Sequence, residues 1–259
     1  MLDKLTHLNG RRVTATDGDI GHVSTVLFDD ESWVARYLVV ETGGWFSRKE
    51  VLISPHSVVP PLTKDQHIHV ALDRQKVKDS PSIDTQQSVS RQHELDYVSY
   101  YDYPPYWEGS GFWGMGDYPL LPINGPTPAE LATDQMVQQR QLASADSHLR
   151  SGAKVIGYDI HASDGNMGHI VDFVFDDTSW VIRYLVIDTR NWWPGGKKVL
   201  VATHWIDDID WTTRSAHVSL TREQIKNNPE YNEAVPVSRE YETQLHSAYK
   251  RTSYWDGGV

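Results

Sequence analysis

The sequence predicts a mostly β protein: two small β-barrels in a pseudo-two-fold arrangement, with short helices and helical tails. Three observations lead there. One block occurs twice, at 17–42 as DGDIGHVSTVLFDDESWVARYLVVET and at 164–189 as DGNMGHIVDFVFDDTSWVIRYLVIDT, with 15 of 26 positions identical. Turn dipeptides and short alternating runs fill each block. Helix-capping signals recur beyond each block. Self-similarity at a fixed offset marks a duplicated unit.

The first elements follow from turn chemistry. Asp17-Gly18 and Asp164-Gly165 are hairpin signals, because glycine reaches the positive φ such turns need. Strands are expected after them, at about Ile20–Phe28 and Met167–Phe175. Asp29-Asp30-Glu31-Ser32 and Asp176-Asp177-Thr178-Ser179 then form turns, through side chains that bond nearby backbone. The third strand runs from Trp33 to Val40, with a copy from Trp180 to Ile187. Apolar residues on both of its faces imply cover on both sides.

A loop holding Trp45-Phe46, or Trp192-Trp193 in the copy, separates this strand from the next. Strands are then expected at about Lys49–Ile53, Ser57–Pro60 and Ile68–Ala71, with equivalents in the second copy. Thr221 and Gln224 have capping-box spacing, so a short helix should start there and stop before Pro229. Longer helices should begin after Ser238 and after Ser90.

The homology extends outward. Arg74, Lys78, Pro81, Ser90, Arg91, Glu94, Tyr106 and Trp107 recur as Arg222, Lys226, Pro229, Ser238, Arg239, Glu242, Tyr254 and Trp255. The helical tail therefore belongs to each unit. Three segments result: 1–95, the first repeat with its tail; 96–149, an aromatic linker rich in proline and glycine; and 150–259, the second repeat. The linker's rings argue for packing on the barrels, since disordered tethers are poor in aromatics. A short helix is expected at about Ala129–Ala143.

Composition narrows the function. The formal charge of −11 opposes phosphate backbones, so nucleic acid is not expected as a partner. Cysteine is absent, which removes disulfides, thiolate metal sites and cysteine catalysis together, and suits a cytoplasmic protein. No apolar run reaches the roughly 20 residues a membrane helix needs, so membrane contact is expected to be peripheral.

The motif D-G-x-x-G-H, followed by F-D-D-x-S-W-V-x-R-Y-L-V and then V-L-[IV], resembles the PRC-barrel family in both repeats. That β-barrel is found in the cytoplasmic part of the photosynthetic reaction-centre H subunit and in a ribosome-maturation factor. The chain is similar to bacterial tandem forms often labelled reaction-centre H-like. The resemblance implies small β-barrels serving as an adaptor or assembly surface, with no general enzymatic activity.

Candidate sites divide by chemistry. His22 and His169 are better read as hydrogen-bonding residues than as metal ligands, because no second histidine stands at ligand spacing. The Asp29-Asp30 and Asp176-Asp177 pairs read as turns, since adjacent carboxylates diverge. Arg36 and Arg183 lie among apolar neighbours and need counter-ions, for which Glu41 and Asp188 are the nearby choices. Trp45, Phe46, Trp192 and Trp193, with Trp107 and Trp113 of the linker and tail, are candidate partner anchors, since loop tryptophans are common interface anchors. No catalytic residue, metal or cofactor is assigned. The expected function is a non-enzymatic adaptor or scaffold for protein partners, with homo-oligomers left open. The alternatives are a small-ligand or metal-binding enzyme using His and Asp between the barrels, and an RNA-processing accessory factor.

Overall fold

The structure, a computed structural model, describes residues 1–43, 49–62, 66–81, 83, 89–121, 148–192 and 194–256. The linker helix expected near 129–143 lies outside them. The chain forms two compact units. One comprises His7–Gly152 with Thr178–Val181, and the other Met1–Thr6 with Ala153–Asp177 and Ile182–Val259. They are called here the N-terminal and C-terminal units. Both are sheet domains with few short helices.

Strands are numbered along the chain from β1 (Leu2–Lys4). The N-terminal unit holds β2 (Arg12–Ala15), β3 (Gly18–Asp29), β4 (Ala35–Thr42), β5 (Glu50–Ile53), β6 (His67–His69) and β7 (Leu149–Ser151). Their order is β5-β4-β3-β2-β6, with β7 paired to β3. The C-terminal unit holds β8 (Asp159–Ala162), β9 (Gly165–Asp176), β10 (Ile182–Asp188), β11 (Lys198–Ala202), β12 (Ile206–Asp210) and β13 (Ser215–Val218). The order is β11-β10-β9-β8-β13-β12, with β1 paired to β9. In each unit two parallel neighbours, β2 with β6 or β8 with β13, interrupt an otherwise antiparallel sheet.

The sequence duplication reappears as register. Leu149, Arg150 and Ser151 pair with Asp29, Phe28 and Leu27, while Leu2, Asp3 and Lys4 pair with Asp176, Phe175 and Val174. Each sheet thus receives its short extra strand at the same level. In both cases the strand comes from chain remote in sequence from its partner.

Two glycines in each copy explain the D-G-x-x-G-H motif. Gly18 and Gly165 have φ of 136° and 132°, a region that side chains avoid. At Gly21 a Cβ would lie 2.0 Å from the Glu41 carbonyl oxygen, and at Gly168 2.6 Å from that of Asp188. Here β3 and β4, and likewise β9 and β10, approach more closely than any larger residue allows.

Two strand expectations shift. The third strand begins at Ala35, not at Trp33, because Trp33 has φ of 57°, and Trp180 matches it at 62°. Asp29 Oδ1 accepts from the backbone N–H of Glu31 and Ser32 at 3.1 and 2.9 Å, which tightens the turn. Trp33 then leaves it in the left-handed region, and its ring stacks on Phe28 with centroids 5.4 Å apart. The strand expected at Ser57–Pro60 is instead a 3-10 turn, Pro55–Ser57, and an isolated bridge from Val58 to Val70. Pro60 and Pro61 lack N–H donors, so pairing ends there. The second copy has Asp208-Ile209 in their place and forms β12.

Besides a single helical turn at Gly152–Val155, the helices are α1 (Arg74–Lys78), α2 (Arg91–Tyr101), α3 (Arg222–Lys226) and α4 (Arg239–Tyr249) among the described residues. Ser90 and Ser238 cap α2 and α4, and Thr221 with Gln224 forms the capping box of α3. The core is the double-sided cover foreseen for β4: residues 35 to 40 are all buried. Leu38, Leu52, Ile53 and Ile68 fill the N-terminal core, and Phe173, Phe175, Tyr184 and Leu245 the other. Among the described residues no helix is long and apolar enough to cross a membrane.

Candidate functional site

Each tail locks onto its sheet through one polar cluster. In the N-terminal unit, Glu94 of α2 is 2% exposed. It accepts from Tyr106 Oη at 2.7 Å and pairs with Arg91 at 3.0 Å. The Arg91 guanidinium lies 4.2 Å from the Trp107 ring, and Arg36 lies 3.7 Å from the Tyr106 ring. The C-terminal unit repeats this. Glu242 accepts from Tyr184 and Tyr254 at 2.8 and 3.0 Å and pairs with Arg239 at 3.1 Å. Arg239 covers Trp255 at 4.0 Å, and Arg183 covers Tyr254 at 4.1 Å. The recurrence of Arg91, Glu94, Tyr106 and Trp107 has this cause: the tail buries a carboxylate, which needs fixed donors around it.

Burial sets the electrostatics. Desolvation raises the Glu94 carboxyl, while Arg91, Tyr106 and Tyr37 pull it back. Burial raises the Tyr37 hydroxyl well above its ordinary range, and Glu94 adds to the shift. His56 stacks on Tyr103 at 5.2 Å and meets Trp113 edge-on at 5.0 Å. Its imidazole is lowered to about 4, mainly by burial and secondly by Arg36.

The expected ion pairs are rearranged. Arg36 pairs with Asp29 at 3.8 Å and donates to Ser32 and to the Phe112 carbonyl, while Glu41 is exposed. Asp188 binds Arg190, not Arg183. The physical reason is parity: residues five apart on a strand point to opposite faces. Asp29 serves the turn as expected and the buried arginine as well. Asp30 pairs with Arg150 of β7 at 2.6 Å.

The aromatic candidates separate. Trp45, Phe46 and Trp193 lie outside the described residues. Trp192 is half-buried, its ring 5.5 Å from that of His169. Trp107 is half-buried against Arg91. Trp113 is 3% exposed and donates its indole N–H to the Ser179 carbonyl at 2.8 Å. It anchors its segment from within and presents no surface.

Around that anchor the chain folds tightly. Gly111 N–H donates to the Gly114 carbonyl at 2.9 Å, and Trp113 N–H to that of Gly116 at 2.7 Å. A Cβ on Gly109 or Gly111 would lie 2.4 or 2.5 Å from those same carbonyl oxygens. The apolar side chains that follow point outward: Met115 is 91% exposed and Leu120 73%, with Tyr118 and Leu121 beside them. Sequence reading picked out Trp113 and passed over Met115 and Leu120, because alternation gives no direction outside strands.

His22 lines an open cleft of the N-terminal unit, of about 610 Å³, together with His7, Arg11, Arg12 and His67. His169 has no such company, since its cross-strand neighbours are Asp159 and Asp188. Among the described residues no group of three or more His, Asp or Glu could hold a metal ion. The divergence of the two repeats at Arg12 and Asp159 was the available signal for the cleft.

A family model of the PRC-barrel domain matches residues 3–71. The match takes in β2 to β6 of the first sheet and none of β8 to β13, although β11-β10-β9-β8-β13 repeats the order β5-β4-β3-β2-β6. No curated protein matches the chain.

Proposed function

We propose that the chain, with a PRC-barrel domain at its start, is a non-enzymatic adaptor that binds protein partners through the outside of its sheet domains. The second domain is read as a further copy of the same barrel, on the strength of its repeated motif and tail. The observation that carries the adaptor reading is the segment 112–121. Apolar side chains stand in water on backbone already fixed by Trp113, Arg36 and the glycine turns. An ordered apolar patch loses little conformational freedom on docking, so burying it favours association. The buried charges point the same way: Glu94, Glu242 and Arg36 are engaged in holding tails to sheets.

Affinity purification from the native cell tests this. The full chain should retain a defined partner that the Met115→Asp, Leu120→Asp double variant loses, with unchanged thermal stability. Recovery of the same partner with both chains would refute the assignment of this segment. Recovery of no partner by the intact chain would refute the adaptor reading itself.

A further inference from the structure

We propose that the N-terminal unit carries a binding site for a small phosphate-type anion, centred on Arg12 between His22 and His67. The site is built by sheet register. Arg12 of β2 pairs with His22 on β3 and with His67 on β6. Paired residues on adjacent strands share a face and stand about 4.8 Å apart. Three cationic or protonable side chains therefore form one row across three strands. His7 and Arg11, from the 3-10 turn Leu5–Leu8 and the residues after it, bring two more to the same cleft. Arg11 is held by the carbonyls of His7 and Leu62 at 2.8 and 3.1 Å.

The duplication supplies an internal control. At the same register the C-terminal unit has His169, Asp159 and Ser215. Arginine has become aspartate and histidine has become serine, while the strands, the hairpin and the glycine approach are kept. Structure alone therefore does not require the cationic row. A net charge of −11 makes this concentration of positive groups the more specific, since the rest of the molecule repels anions.

Two carboxylates border the row. Asp19 binds Arg12 at 2.8 Å and accepts from Thr14 at 3.1 Å, and Glu41 is the cross-strand neighbour of His22. An arriving phosphate competes with Asp19 for the Arg12 guanidinium, whose planar fork can bind two oxygens at once. Thr14 also contacts His67 Nδ1 at 3.2 Å, which fixes that ring beside the arginine.

Calorimetric titration of the full chain with inorganic phosphate, at low ionic strength and near neutral pH, tests the proposal. One saturable site in the millimolar range or tighter is expected, with chloride failing to mimic it. Arg12→Gln should weaken binding about tenfold or more, the loss of one charge-assisted pair. Asp19→Asn should tighten binding several-fold, a gain that no misfolded variant could produce. His169→Gln should change nothing. Absence of saturable phosphate binding by the intact chain, or equal binding by the Arg12 and Asp19 variants, overturns the proposal.

Discussion

His56 is the residue at which pH should act most directly. Its folded-state value of about 4 lies below the ordinary value of 6.5, chiefly because the ring is buried against Tyr103 and Trp113. Between those two values only the unfolded chain binds the proton, so stability falls as pH drops through that window. The loss should reach about 3 kcal/mol. His246 is lowered to about 4 as well, first by burial and then by His204, and it acts in the same direction. Urea unfolding of His56→Phe should show a flatter dependence between pH 6.5 and 4 than the parent chain. Glu94 makes the opposite contribution, since its raised carboxyl favours the protonated folded form and loses that advantage as pH rises. Its removal is a harsher test. Glu94→Ala strands Tyr106 and Arg91 beside a cavity and should cost about 3 kcal/mol in chemical denaturation, with Glu94→Gln milder.

At the scale of elements, the glycine that begins G-H in each motif decides whether two strands can pair. Gly168→Ala places a methyl against the Asp188 carbonyl, so β9 and β10 must part locally. A loss of about 1–3 kcal/mol is expected, with faster amide exchange at 168–170 and 187–188. Much of the element plan was readable. Hairpins, long strands, caps and the covered third strand all have local chemical signatures that survive in one sequence. The strand at Ser57–Pro60 failed because two prolines outweighed its valines, and Trp33 failed because β propensity is silent on a left-handed turn exit. The candidate site was less legible. Nearness in sequence misdirected Arg36 toward Glu41, which strand parity sets on the opposite face, and the cleft around Arg12 depends on the parallel pairing of β2 with β6, which joins residues far apart in sequence.

Across the whole molecule, the least legible feature is that each unit includes a strand from distant chain. Residues 1–6 belong to the C-terminal unit. There Thr6 is tied to Asp172, Lys4 to Glu233, and the terminal amine to Asp177. Removal of residues 1–5 should therefore destabilise the C-terminal unit, exposing the edge of β9, while amide protection of β3 and β4 persists. Protection lost first in β3 would contradict that division of the chain. Sequence similarity alone assigns residues 1–6 to the repeat that follows them, and only pairing reassigns them.

The most direct measurement of how this molecule works is site-specific photo-cross-linking in the native cell. A photoreactive side chain is placed at Met115 and, as a control, at exposed Val235 of the C-terminal unit. If the ordered apolar segment is the adaptor surface, position 115 yields a discrete cross-link to one heterologous protein and position 235 does not. Cross-links from position 115 only within the chain, or equal capture from both positions, would contradict it.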